Sequence, residues 1–322
     1  MSSAWDGLIN NLDKTELPHY AVNKSLPSDS YFTSKDTAKK CYSILLNKLK
    51  DEKINIDDYT FIEPSAGDGV FYNLLPKNKR IGVELYDRSS EYIKSDYLLW
   101  KPKDLNEKHI VVGNPPFGVR GAYALAFINR SLLFSDYVGF ILPMSFHSNG
   151  KGTNMKRVIS GHLIHSEILE QELFYSPDND KEIKINTLFQ IWKRGFGKSI
   201  FSDYDVSDFV DIYTVCASPD RLCGLDKINR YDFYISSSYF GDSLKTVYSF
   251  DDVKYKSGYG VIIKKEKNNI MNLVKNVEWN DYSSLATNSV KHIRRHNIEN
   301  CIYDLGFGKI IDDVSNNLEN FM

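Results

Sequence analysis

The sequence predicts an α/β protein: a parallel, Rossmann-like sheet with crossover helices, followed by a region of α+β character. Three observations carry that expectation. Four short apolar runs, Tyr59–Glu63, Arg80–Glu84, His109–Gly113 and Tyr137–Leu142, have the length of buried strands. Helical stretches separate some of them, and parallel neighbours need such crossovers. The rhythm then stops near residues 195–202, at Gly195-Phe196-Gly197-Lys198, and the chain beyond is rich in Asp, Tyr and Ser.

The elements follow in order. Residues 1–30 hold Pro18 and Pro27 among polar residues without periodicity and read as an arm. Ser34 caps a helix to about Lys50, with Ala38, Cys41, Tyr42, Leu45, Leu46 and Leu49 on one face. A strand to Glu63 leads into a Gly-rich turn and a helical stretch through Leu75. Strands to Glu84 and to Gly113 come next, then a helix from Ala122 to Phe134 and the strand Tyr137–Leu142. Leu163–Leu169 and Asn186–Arg194 close the sheet, joined by the polar loop Ser176–Lys184.

Composition narrows the function classes. The 322 residues carry 40 Lys and Arg against 42 Asp and Glu, a net charge of -2, which argues against a general nucleic-acid coat. Hydrophobic residues make up 42% and charged residues 25%, so a packed globular chain is expected rather than a disordered one. No apolar run nears the ~18 residues that cross a bilayer, and the N-terminus lacks a secretory pattern. A cytoplasmic protein without a membrane partner is expected. Cys41, Cys216, Cys223 and Cys301 form no C-x-x-C pair, so reduced thiols are expected and no metal site.

In such a sheet, ligands bind beyond the carboxyl ends of the strands. Four features fall there. Glu63-Pro64-Ser65-Ala66-Gly67-Asp68-Gly69 places two glycines where backbone can approach a ligand closely, and it lacks the ending of a phosphate loop. Glu84 follows Glu63 by 21 residues, a separation at which an acid can accept from ribose hydroxyls. Asp96 either caps the next loop or faces an adenine amino group. The decisive feature is Asn114-Pro115-Pro116-Phe117, directly after a strand. Two prolines stiffen the backbone and free their carbonyls. The Asn oxygen and a Pro carbonyl then form a rigid pair of acceptors for an amino group, with Phe117 as a stacking face.

At these residues the sequence resembles the S-adenosylmethionine-dependent amino-methyltransferases, specifically the DNA adenine-N6 class. Asn114-Pro115-Pro116-Phe117 matches that family's acceptor motif, and residues 63–69 match its cofactor loop. Tyr31-Phe32-Thr33-Ser34 resembles a Tyr-x-Thr-Pro stretch that precedes the loop in the gamma class, with Ser34 in place of Pro. The resemblance implies a methyltransferase sheet over residues 31–198 and a target-recognition region over 199–322. It implies that Tyr31, Thr33, Glu63, Ser65, Gly67 and Gly69 surround S-adenosyl-L-methionine together with Asn114, that Glu84 binds its ribose and that Asp96 binds its adenine. It implies that Asn114 and the Pro115 carbonyl grip the target amine, that Pro116 stiffens the motif and that Phe117 stacks on the base. The partner would be double-stranded DNA, with the base flipped out of the helix. A cognate restriction endonuclease stays open as a second partner. RNA amino-methyltransferases and a non-catalytic DNA-binding protein on the same fold are the rival readings.

The C-terminal region divides by charge. Residues 201–242 hold eight Asp and three basic residues, whereas 245–309 hold eleven Lys or Arg and seven acids. Lys254, Lys256, Lys264, Lys265 and Lys267 cluster with Tyr255 and Tyr259, and Lys291, Arg294 and Arg295 sit beside His292 and His296. Such interleaving suits contact with phosphates and bases. Pro177-Asp178 with Glu182-Ile183-Lys184 is similar to a nuclease signature, but the spacing is too short, and a charged surface loop is expected.

Overall fold

The computed structural model describes residues 31–148, 152–175, 182–217, 230–241, 244–285 and 290–311. The arm, Pro177 and Asp178, and Cys223 therefore lie outside the described residues. The chain divides into two compact units at residues 200 and 201, with 147–151 grouped with the second.

The first unit is built on an eight-stranded sheet. In chain order its strands are β1 (Phe32–Thr33), β2 (Tyr59–Glu63), β3 (Arg80–Glu84), β4 (Ile93–Lys94), β5 (Lys108–Gly113), β6 (Tyr137–Pro143), β7 (Gly161–Tyr175) and β8 (Glu182–Arg194). In space they lie in the order β1-β7-β8-β6-β5-β2-β3-β4. β4, β3, β2, β5 and β6 run parallel, β8 is antiparallel to β6, and β7 and β1 continue the antiparallel edge. The expected Rossmann-like α/β sheet is present. From β2 the chain builds outward through β3 and β4, then returns to lay β5 on the other side of β2. That reversal opens a crevice at the carboxyl ends of β2 and β5.

Helix α1 (Lys35–Asp51) begins where Ser34 accepts the Thr37 N–H at 3.2 Å. Serine in the proline position of the motif thus supplies the helix cap. Ala38, Cys41, Leu45 and Leu49 recur on one face and are fully buried with Phe61, Ile110, Ile141 and Phe189 in one core cluster. Burial of the two leucines alone stabilises the unit by roughly 2 kcal/mol each.

The crossovers are thinner than expected. Among the described residues of the parallel run β2 to β6, only β5 and β6 are joined by an α-helix, α2 (Ala122–Ser131). The stretch after the Gly-rich loop is a single tight turn at Tyr72–Leu74 rather than a helix through Leu75. Pro76 lies just beyond, and the hop to the adjacent strand is too short for more than a turn. Helix α2 also stops at Ser131, where the Ser135 hydroxyl takes up the Ser131 carbonyl at 2.7 Å.

The closing hairpin is longer than predicted. β7 runs from Gly161 to Tyr175, and Glu182–Lys184, expected in a surface loop, are paired in β8 with Leu173–Tyr175. β7 carries register shifts at Leu163/His165 and Leu169/Glu172, the second where Gln171 adopts φ +51°. Polar residues facing both sides of this extension masked its strand character, because it leaves the core. Pro143, the last residue of β6, pairs with Thr187, so the hairpin from Leu169 to Ile185 projects beyond the sheet.

The second unit is α+β. Its strands are β9 (Asp203–Asp205), β10 (Val210–Cys216), β11 (Phe233–Ser236), β12 (Ser238–Phe240), β13 (Ser257–Ile263), β14 (Ser284–Leu285), β15 (Val290–His292) and β16 (Lys309–Ile311). Its helices are α3 (Lys267–Val274), α4 (Trp279–Tyr282) and α5 (Arg295–Asp304). Among the described residues the strands form the small antiparallel sheets β10-β13-β11, β12-β15-β14 and β16-β9. Trp279, Tyr239, Phe233, Val261 and Ile298 are buried in its main core. The Asp-rich and Lys-rich stretches meet here. Lys264 pairs with Asp211 at 2.9 Å, Lys267 with Asp232 at 2.5 Å and Lys309 with Asp205 at 3.4 Å.

Among the described residues no helix is long and apolar enough to cross a membrane. Removing the cap hydroxyl tests the start of α1. Ser34→Ala is expected to lower unfolding stability by about 1 kcal/mol, read as a lower urea midpoint at unchanged slope.

Candidate active site

Asn114 stands one residue beyond β5, in the crevice beside β2. Its side-chain nitrogen donates to Thr33 Oγ1 at 3.1 Å and to the Tyr31 carbonyl at 3.4 Å. Its backbone carbonyl accepts the Ser65 hydroxyl at 3.0 Å. A carbonyl can only accept, so the Tyr31 contact fixes which end of the carboxamide faces it. The other end, Oδ1, is buried and has no hydrogen-bond partner among the described residues. An orphaned buried acceptor costs roughly 1–3 kcal/mol, a cost recovered when a donor arrives.

β1 delivers Tyr31 and Thr33 to that position. Phe32 and Thr33 pair with Tyr175 and Phe174 on the projecting end of β7. Thr33 is buried, Tyr31 is exposed, and the Phe32 ring meets Tyr175 edge-on at 5.6 Å. The Tyr175 hydroxyl in turn donates to Asp68 in the Gly-rich loop. The predicted residues Tyr31, Thr33, Ser65 and Asn114 are therefore joined in one hydrogen-bonded set.

The Gly-rich loop forms a second set. Gly67 and Gly69 adopt φ +53° and +82°, a region that side chains other than glycine avoid. A β-carbon on Gly69 would lie 2.4 Å from the Tyr92 hydroxyl, and one on Gly67 would lie 3.1 Å from Phe32. The Gly67 N–H donates to Glu84 Oε2 at 2.8 Å. Glu84 Oε1 accepts the Tyr86 N–H at 3.2 Å and faces Arg88 at 3.6 Å. The Arg88 guanidinium also lies over the Phe32 ring at 5.2 Å.

Glu63 ends β2 and is 2% exposed, with Oε2 buried and unpartnered. Gly113 lies against it, because a β-carbon there would sit 3.4 Å from Glu63 Cγ. Burial pushes the Glu63 carboxyl well above its ordinary value, against one backbone hydrogen bond from Tyr72 and with help from Asp68 and Glu84. Burial, then Glu63 and Asp68, push the Tyr92 phenol up to about 12.

Two predicted residues sit differently. Asp96 is exposed and spends its carboxylate on the Leu98 N–H at 2.9 Å, closing its own turn. Among the described residues no hydrogen bond joins it to the other site residues. Phe117 is half-buried and packs against the first unit's core, and its carbonyl accepts from Tyr123 at 3.2 Å at the start of α2. Pro115 is buried and Pro116 half-buried between them. Sequence reasoning missed Arg88, Tyr92 and Tyr175. Arg88 alone had a signal, four residues after Glu84; the tyrosines reach the site through long-range contacts.

The set can accept donors. It offers one amide oxygen, a buried carboxyl and a second carboxylate, around a loop whose two glycines pack against Phe32 and Tyr92. No family model matches the chain, and no curated protein matches it. Some solved structures resemble part of it. An RNA-methyltransferase candidate from Pyrococcus horikoshii is 17% identical over 61% of this chain and 100% of its own, with a TM-score of 0.37. A Thermoplasma acidophilum protein is 16% identical over 59% of this chain and 97% of its own, with a TM-score of 0.30. Likenesses of that size identify neither a family nor a reaction.

The Glu63 shift has a stability consequence. Its raised folded value means that the folded state holds the proton more tightly. Stability from this group is full below the ordinary carboxyl range and is lost as pH rises through the raised value. Glu63→Gln is therefore expected to gain stability over the parent at pH 7.5 and to lose most of that advantage by pH 4, read as melting temperatures across pH.

Proposed function

We propose that the chain transfers a methyl group from S-adenosyl-L-methionine to the N6 amino group of adenine in double-stranded DNA. One observation carries the reading: the partnerless Asn114 Oδ1, held in place by Thr33 and Tyr31 and followed by Pro115-Pro116, at the point where the strand order reverses.

The exocyclic amine of adenine is a weak nucleophile because its lone pair is delocalised into the ring. Asn114 Oδ1 and the Pro115 carbonyl accept its two N–H groups, which draws the nitrogen toward a tetrahedral shape and localises the lone pair. So held, the lone pair would be directed at the methyl group that a bound cofactor supplies, the N–C bond forming as the methyl–sulfur bond breaks and one amine proton passing to solvent. Positioning and fixed dipoles lower the barrier, so no enzyme nucleophile is needed. Phe117 offers a ring edge to the flipped base.

The cofactor supplies an electrophilic methyl on a sulfonium. The residues present fit it. Asp68 and Glu84 give carboxylates beside the Gly-rich loop for a cation, Gly67 and Gly69 supply the positive φ the loop needs where it packs on Phe32 and Tyr92, and Glu84 suits ribose hydroxyls once Arg88 moves aside. Asp96, spent on its own turn, would need a small rearrangement to reach an adenine amine. Residues 199–322 serve as the target-recognition region, and a cognate endonuclease would complete a restriction–modification pair. The Tyr31-Phe32-Thr33 stretch, the Glu-Pro-Ser-Ala-Gly loop and the large second unit favour DNA over RNA.

The direct test is modified-base sequencing of an expression host, where a single methylated adenine motif is expected. Labelled cofactor offered duplex DNA, RNA and protein should mark only the DNA. Asn114→Ala is expected to lower transfer at least about a hundredfold while cofactor binding by calorimetry stays intact. Thr33→Val, which keeps shape and removes the acceptor, is expected to lower kcat about tenfold with KM for DNA unchanged, and Thr33→Ser to restore it.

A further inference from the structure

The loops that follow β5 and β6 emerge side by side at the carboxyl edge of the sheet, next to Asn114. From Asn114 to His165 the chain holds five Lys or Arg and one acid, Asp136. Asp136 precedes β6, at the opposite end of the sheet, and is paired with Arg194. Arg130 is turned inward onto the Trp100 carbonyl at 2.8 and 3.1 Å. The described residues of the two loops thus expose cations and no carboxylate.

Two of those cations are held in place from below. Arg120 adopts φ +55°, between Gly118 at +65° and Gly121 at +79°. A bulky residue is strained there, and such strain persists only where the surroundings fix it. The fixing groups are visible. Buried Asn154 donates to the Arg120 carbonyl at 2.8 Å and to Ser145 Oγ at 3.1 Å. The Arg157 N–H donates to the Asn154 carbonyl at 3.0 Å, and the Arg157 carbonyl accepts Asn129 of α2 at 3.2 Å. One asparagine therefore ties the Arg120 turn to the Arg157 turn. Both arginines are exposed, and among the described residues neither pairs with a carboxylate.

We propose that Arg120 and Arg157 form a phosphate-gripping rim through which the first unit holds the DNA backbone beside the base offered to Asn114. The proposal rests on the nucleic-acid reading above and adds a contact surface outside the C-terminal region. Two exposed guanidinium groups on neighbouring loops suit a line of phosphates, and arginine's planar fork matches each one.

The test is fluorescence anisotropy of the full chain on a labelled duplex across salt concentrations, with Arg120→Gly, Arg157→Ala and the double variant. Each phosphate contact adds about one to the slope of log Kd against log salt. The double variant should weaken binding at least about tenfold at low salt and lower that slope by about two, with cofactor affinity unchanged. Glycine adopts φ +55° without strain, so Arg120→Gly should keep or raise the melting temperature while weakening binding. An unchanged slope, a fall in melting temperature that tracks the binding loss, or a loss confined to RNA would overturn the rim. So would wild-type protein with no salt-dependent affinity for duplex DNA. A rim that behaves as expected in a chain that transfers no methyl to DNA would sink the catalytic reading alone.

Discussion

The bend of the β7–β8 hairpin is the constraint on which the site depends. In the sheet order β1 stands four strands from β5, so β1 and Asn114 meet only because the hairpin departs from a flat sheet. The irregularities at Leu163/His165 and Leu169/Glu172 break the flat register, and bulges of this kind increase local twist and redirect a strand. The projecting end then carries β1 back, so that Thr33 and the Tyr31 carbonyl reach the Asn114 amide and Tyr175 reaches Asp68. Glu172 steadies the arrangement by accepting Thr37 at 2.7 Å and Lys40 at 3.0 Å from the first turns of α1. Helix, hairpin and two-residue strand are fastened to one another before they touch the crevice.

That fastening explains how an unfavourable arrangement is held. A free carboxamide would rotate to satisfy its own oxygen. Here the nitrogen meets the Tyr31 carbonyl as well as the Thr33 hydroxyl, and a carbonyl cannot donate to Oδ1 if the amide turns. Glu63 is kept in a comparable state, buried at a strand end with one oxygen unpaired. Stability is sacrificed at two neighbouring points, both at the place where the strand order reverses. Other buried polar atoms of the described residues, such as Gln190 Oε1 and Trp192 Nε1, also lack a partner, so it is the position of these two beside the Gly-rich loop that singles them out.

Legibility in the sequence followed the range of the interactions. The β2, β3, β5 and β6 strands were readable because burial on both faces makes them continuous apolar runs. Helix α1 was readable from its cap and its spacing of buried residues. The Asn-Pro-Pro-Phe and Gly-rich loops were readable because their backbone demands restrict residue type. The hairpin extension was not, since Glu170, Gln171, Glu172, Lys184 and Asn186 look like a loop until the partner strand is known. The positive φ at Arg120 left no trace, because nothing in an arginine announces it. The Asp-rich and Lys-rich stretches of the second unit were read as separate features. Their pairing, as in Lys264 with Asp211, is a tertiary fact, and it removes several lysines from the cations free to meet a phosphate.

This redistribution alters where a polyanion would be held. Charge counted along the sequence pointed to residues 245–309, where the excess of lysine lies. In the folded second unit, Lys256, Lys264, Lys267 and Lys309 each face an aspartate, and Arg295 faces Glu299 at 2.8 Å. Exposed ion pairs add little stability, but they do lower the field available to an approaching phosphate. Among the described residues neither Arg120 nor Arg157 pairs with an acid, and their loops follow β5, which presents Asn114, and its neighbour β6. Under the proposed function, affinity and chemistry then share the frame of the first unit.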